Sequence, residues 1–404
     1  MSDDQPAKSP ATNAPAVSVP SAGGPRHPRT RRRALLPASA VVVAVLVGAA
    51  AGAILLVSHQ PRRDHVMTSL TLCAARRTAS LQAELTGPVP STLRGNVEPL
   101  GVSGDGKAVY VATETSGFAG IAAVTVASGN LRKIQVFRHP ADDEAFGSSD
   151  GRWLVWAEVT NFQQMARGNG NGPADVTVHS WDSVTGQMRT LGHAREPLIG
   201  VPVVSGHHAA WGQGSGIVLA NLLSGHATVI GRGDPEVFFD GSLVVWPGLG
   251  SGPRNAATTM HAFSVISGRP ARLPLALKSA GGAVMVVSDG VRTAYVSRNL
   301  RSLYYSPAED QAAHAIMHGT LLAGGVALGP GWLGWTDFQG VSYLASTRTG
   351  AYLVATQADG GALGPGPSLV VQDFLGLPTA HALQYQPSVI RVIGNPAWPA
   401  CHGT

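Results

Sequence analysis

The 404-residue chain holds 50 glycines, 28 prolines and only 13% charged residues. An ordinary soluble domain has about 25% charged residues and about 7% glycine, so this composition argues for many turns and against a helix-rich cytosolic enzyme. Two cysteines exclude a disulfide-dense mini-domain and a four-cysteine zinc site. The formal net charge of +5 comes from the first 77 residues, where ten basic side chains meet three acidic ones; the remainder carries 19 basic and 21 acidic groups, with no basic stripe for nucleic acid.

In chain order, residues 1–33 are Pro, Ser, Ala and Asn without a hydrophobic period, and are expected to form a disordered cytoplasmic tail. Residues 34–57 follow as 24 uncharged positions, including Val41–Val47 and Ile54–Val57, enough for a helix across about 30 Å of hydrocarbon. Arg26, Arg29 and Arg31 to Arg33 precede this run and only Arg62 and Arg63 closely follow, which sets the amino terminus in the cytoplasm and the rest outside. The expectation is a single-pass signal-anchor in the cell membrane; the alternative is a secretory signal cleaved near Ala49–Ala53. Residues 58–94 read as a linker and ring-closing segment.

From residue 95 two markers recur. The first is a Gly-containing turn leading into an apolar run: Gly104-Asp105-Gly106, Ser149-Asp150-Gly151, Ser205-Gly206, Asp240-Gly241, Asp289-Gly290, Gly329-Pro330-Gly331 and Gly366-Pro367. The second is a short turn at Ser128-Gly129, Thr185-Gly186, Ser224-Gly225, Ser267-Gly268 and Thr349-Gly350, with Ala308-Glu309-Asp310 in its place once. Short β-branched runs ended by such turns are hairpin signals. A period of about 44 residues with four strands per unit is that of a propeller blade.

The pattern, clearest in Ser148-Ser149-Asp150-Gly151-Arg152-Trp153 with Thr185-Gly186, resembles the TolB-type, WD-repeat-like β-propeller family over roughly residues 95 to 393. Units three, six and seven lack the Asp, and no typical WD ending is present. The resemblance implies architecture and is nearly silent on function. The expected fold is all-β: a seven-bladed β-propeller over residues 95–404, preceded by the disordered tail and a single transmembrane helix. Cys73 and Cys401 bracket the repeats and would join the two ends by a disulfide in an oxidising compartment, two free thiols being the alternative.

Just ahead of the first marker, where the innermost strand begins, units one to four place Glu98, Glu144, Glu196 and Glu236, whereas units five to seven place Gly281-Gly282, Gly324-Gly325 and Gly360-Gly361. Four carboxylates would line one side of the channel mouth beneath the two longest insertions, residues 160–174 and 247–259. This is the candidate ligand site, for a basic peptide or a divalent cation; no other cofactor is implied. Like charges so close need spacing or a counter-ion. The alternative is that each Glu only caps backbone groups between blades.

Other motifs read as structure. Gly147-Ser148-Ser149-Asp150-Gly151 matches G-x-S-x-G but leads into a strand, not the helix that a nucleophile elbow needs. His314 and His318 lack the Glu of a zinc-helix motif, and His207-His208 point to opposite sides of a strand. Trp153, Trp156, Trp211, Trp246 and Trp335 recur at one repeat position and suit packing between blades. The function expected is a membrane-anchored, extracytoplasmic, non-enzymatic binding or scaffold module for a protein or cell-envelope component, without nucleic acid. The alternative is a propeller enzyme, a hydrolase or lyase, using the glutamates for metal or acid-base work.

Overall fold

Turn chemistry sets the architecture. The Asp150 carboxylate accepts the backbone N–H groups of Arg152 and Trp153 at 3.0 and 2.8 Å, and Gly151 takes a φ of 99°. That conformation suits glycine and is costly for a residue with a Cβ, so the chain reverses there and the flanking apolar runs pair as strands. Asp289 accepts Val291 and Arg292 N–H groups at 3.1 and 2.7 Å in the same way.

The computed structural model describes residues 70–74, 369–374, 388–393, 401 and most of 95–354, the exceptions being 116, 139–142, 161–174, 196–199, 250–258, 284, 320–321, 330 and 338–340. The chain divides into two units, Met1–Asp64 and His65–Thr404, and every described residue belongs to the second. A two-residue strand, β1 (Cys73–Ala74), comes first. Blade one is β2 (Gly95–Val102), β3 (Ala108–Thr115), β4 (Phe118–Thr125) and β5 (Leu131–Val136). Blade two is β6 (Glu144–Ser149), β7 (Trp153–Thr160), β8 (Asp175–Asp182) and β9 (Met188–Arg195). Blade three is β10 (Val203–Ser205), β11 (His208–Gln213), β12 (Gly216–Asn221) and β13 (Ala227–Arg232). Blade four is β14 (Phe238–Asp240), β15 (Leu243–Pro247), β16 (Met260–Ser264) and β17 (Arg269–Pro270), followed by the short helix α1 (Leu275–Lys278). Blade five is β18 (Met285–Ser288), β19 (Thr293–Val296), β20 (Ser302–Ser306) and β21 (His314–His318). Blade six is β22 (Leu322–Gly329), β23 (Trp332–Asp337), β24 (Ser342–Ser346) and β25 (Ala351–Val354), and β26 (Leu369–Phe374) with β27 (Ser388–Ile393) completes the order.

Within each blade the strands pair antiparallel in sequence order, and the first strands of successive blades abut one another. Among the described residues the fold is an all-β propeller with six four-stranded blades, which corrects the expected seven. The seventh sequence unit supplies only β26 and β27 among the described residues, a two-stranded sheet packed near β2. The reason is visible in the markers: seven turns of the first kind occur but only six of the second, and a four-stranded blade needs both. The expected transmembrane helix is likewise not borne out. Among the described residues α1 is the sole helix, and none is long and apolar enough to cross a membrane. Residues 34–57 themselves, like the tail 1–33 and both long insertions, lie largely or wholly outside the described residues.

The core sits between blades. On β7, Trp153 and Trp156 point to opposite faces, so Trp153 packs with Ala209 and Trp211 of blade three and Trp156 with Leu100, Tyr110 and Ile121 of blade one. Trp211, Trp246 and Trp335 fill corresponding seams and are buried. Where the inner turns meet, Gly104 N–H donates to Gly151 O at 2.9 Å, and a Cβ on Gly151 would lie 2.8 Å from Gly104 Cα. The chain ends close at blade six. There β1 pairs parallel with β25 as a fifth strand, Cys73 opposite Ala351, and Cys73 is disulfide-bonded to Cys401 with Cα atoms 5.6 Å apart.

Candidate functional site

Strand order decides which predicted glutamates meet. In every blade the first strand begins at the end of the sheet opposite the first-marker turn, so residues early in β2 and β6 share one end of the ring. Glu98 lies within β2, opposite Ala112 of β3, and Glu144 opens β6, opposite Val159 of β7. Because β2 and β6 abut, the Glu144 charge reaches Glu98 from the neighbouring blade.

Glu98 is exposed to solvent, yet protein atoms crowd around it at longer range. That burial, with the Glu144 charge adding to it, pushes its pKa from 4.5 to about 7. Glu144 is half-buried and burial pushes it up as well; its Oε2 has no hydrogen-bond partner among the described residues. Glu236 stands apart, exposed in the loop before β14. Burial and then its neighbour Asp234 raise it, and neither Glu98 nor Glu144 contributes. Glu196 lies outside the described residues. Two of the four predicted carboxyls are thus brought together, and no group of three or more metal-ligating side chains occurs among the described residues.

Chemically, two carboxyls in this setting cannot both ionise cheaply. One of them stays protonated at neutral pH, or both ionise against a cation such as a lysine, an arginine or a divalent metal. Folding raises the Glu98 pKa, so the folded state binds the proton more tightly than the unfolded chain. Its contribution to stability is present below pH 4.5 and is lost as pH rises through about 7. Between pH 5 and 8 the melting temperature is expected to fall, and Glu98→Gln to flatten that slope. The effect is smaller than the shift alone implies because water reaches the side chain. A slope identical in wild type and variant would remove Glu98 from this role.

Among the motifs read as structural, Ser149-Asp150-Gly151 forms the β6–β7 turn. His314 and His318 are exposed at the ends of β21, with His318 Nδ1 3.0 Å from Ser302 Oγ. Sequence reasoning missed a buried polar chain between blades one and two. Trp156 Nε1 donates to Gln135 Oε1 at 3.0 Å, Gln135 Nε2 donates to Glu158 Oε2, and His179 Nε2 lies 3.3 Å from that oxygen. It also missed a groove of about 560 Å³ at the far end of the same blades, lined by Lys107, Tyr110, Arg132 and Arg152. Arg132 and Gln135 lie on β5, outside the two-marker frame, and no signal at their positions marked them.

No family model and no curated protein matches the chain. Among solved structures it is similar to the β-propeller domain of the Trilobed protease from Pyrococcus furiosus, at 12% identity and a TM-score of 0.49, over 76% of this chain and 100% of that one. It is also similar to TolB from Acinetobacter baumannii, at 12% identity and a TM-score of 0.41, over 68% of this chain and 67% of that one. A third is an oligogalacturonate lyase from Vibrio parahaemolyticus, at 12% identity and a TM-score of 0.44, over 63% of this chain and 75% of that one.

Proposed function

We propose that this propeller is an extracytoplasmic, non-enzymatic binding module that takes a cationic group of a protein or cell-envelope partner between the first strands of blades one and two. The observation that carries this reading is the Glu98–Glu144 pair: one carboxyl raised to about 7 by enclosure and by its neighbour, the other with an unpartnered oxygen. A bound cation relieves the repulsion and lets both groups ionise. The Cys73–Cys401 disulfide supports a location outside the reducing cytosol.

The test uses the full chain with a labelled lysine-rich peptide and, separately, Ca²⁺ and Mn²⁺. Binding of one of these should tighten as pH rises from 6 to 8 and weaken about tenfold in Glu98→Gln with Glu144→Gln, the loss expected for removing charge-assisted contacts. Equal binding by wild type and double variant would sink the reading. A second reading rests on the same carboxyl, since a Glu near 7 is poised for general acid-base work in a propeller enzyme. It requires a turnover that Glu98→Gln abolishes while ligand binding persists.

A further inference from the structure

At the opposite end of blades one and two, the inner turns and the outer strand β5 enclose the groove of about 560 Å³, within the range of small-ligand and short-peptide sites. Three cations border it, and two are neutralised from within. Lys107 Nζ lies 3.5 Å from Asp105. Arg152 forks onto Asp182, with Nε and Nη2 at 3.2 and 2.9 Å, and this pairing holds the buried Asp182 carboxyl down to about 2, so the pair stays closed at neutral pH. Arg132 is different. Its guanidinium lies 5.0 Å over the Trp181 ring, which is itself braced edge-on by Tyr110 at 5.6 Å, and it has no hydrogen-bond or ion-pair partner among the described residues. A guanidinium held over an indole by cation–π attraction still has its N–H donors to offer, and a carboxylate is the group that can take two of them in parallel hydrogen bonds.

The rim adds a second chemistry. Val184, at the groove's edge in the β8–β9 turn, is 74% exposed. The equivalent positions two residues ahead of the turn glycine in blades three and four hold Leu223 and Ile266, 52% and 83% exposed. The same turn position is therefore apolar and exposed in three successive blades, the first of them at the cationic groove. A small dicarboxylate has no use for it, whereas a peptide carrying acidic and apolar side chains engages both.

We propose that this groove and rim recognise an acidic, partly apolar peptide segment of a partner protein, with Arg132 as the carboxylate-binding residue. The site is separate from Glu98 and Glu144, which lie toward the other end of the strands. The probe is a fluorescein-labelled peptide of alternating Glu and Leu, its Gln-for-Glu twin, and the full-length chain. The acidic peptide is expected to bind at least about tenfold more tightly than the twin, and Arg132→Gln to remove most of that difference. Val184→Ser should weaken both peptides, and Glu98→Gln should change neither. Arg132 is exposed, so an unchanged melting temperature in Arg132→Gln reports an intact fold. The proposal is overturned if Arg132→Gln, folded, binds the acidic peptide as wild type does. It is also overturned if the twin binds equally well, or if succinate displaces the peptide at concentrations equal to the peptide's own.

Discussion

Removing the disulfide by Cys73→Ser with Cys401→Ser is expected to lower the free energy of unfolding by about 3–5 kcal/mol. The bridge spans 328 positions, and a crosslink that closes so long a loop takes more conformational freedom from the unfolded chain than a short one does. The Cα separation of 5.6 Å lies within the normal range for a disulfide. Other contacts at this closure are β1 held to β25 through two register pairs, Cys73 N–H donating to Gly350 O at 3.0 Å, and Leu70 with Leu72 packed in the core of blades five and six. The measurement is the denaturation midpoint of wild type, reduced wild type and the double variant, with alkylation under native conditions as the check on the starting state. Matching midpoints in all three would show that the crosslink contributes no stability.

Trp156→Ala is expected to cost about 3–5 kcal/mol, the range for truncating a buried tryptophan. The side chain is fully buried in the seam between blades one and two, stacks on His179 at 5.3 Å and donates its indole N–H to Gln135. Truncation leaves a cavity among Leu100, Tyr110 and Ile121 and deprives Gln135 of the donor to its carbonyl oxygen. Trp156→Phe separates the two effects, because it keeps most of the packing and loses only the hydrogen bond, at about 1–2 kcal/mol. Urea titration of both variants checks the ordering. A Phe variant as unstable as the Ala variant would mean that the polar chain, rather than the ring, holds the seam.

Most of the fold was legible because turn chemistry is local. Asp105, Asp150 and Asp289 bond backbone groups within three residues, and their glycines adopt positive φ, so the sequence alone locates these reversals. The tryptophans were legible for a similar reason: a strand's alternation sends Trp153 and Trp156 to opposite seams. The blade count was misread because it followed the first marker alone, whereas the paired markers number six.

The candidate site was legible only in part. Aligning the units by their turns put Glu98 and Glu236 at equivalent positions. The strands, however, begin at different offsets, and Glu98 falls inside the eight-residue β2 while Glu236 precedes the three-residue β14. Glu98 therefore sits on β2 within reach of the Glu144 charge, and Glu236 sits in a loop beside Asp234. The Arg132 groove was invisible for a different reason. Its parts come from β5, from β8 and from the turns of two blades, and only the packing of one blade on the next brings them together.

The pairing of β1 with β25 also orders events in time. Cys73 and Ala74 are made early, but their partners Ala351 and Tyr352 follow only after nearly the whole repeat array. Each blade can form from hairpins between neighbouring segments, which close quickly, whereas joining the ends must wait for a contact of very high sequence separation. Until then the outer edge of blade six is an unpaired strand, open to pairing with another copy. Prompt capture of β1, followed by oxidation, is what removes that hazard.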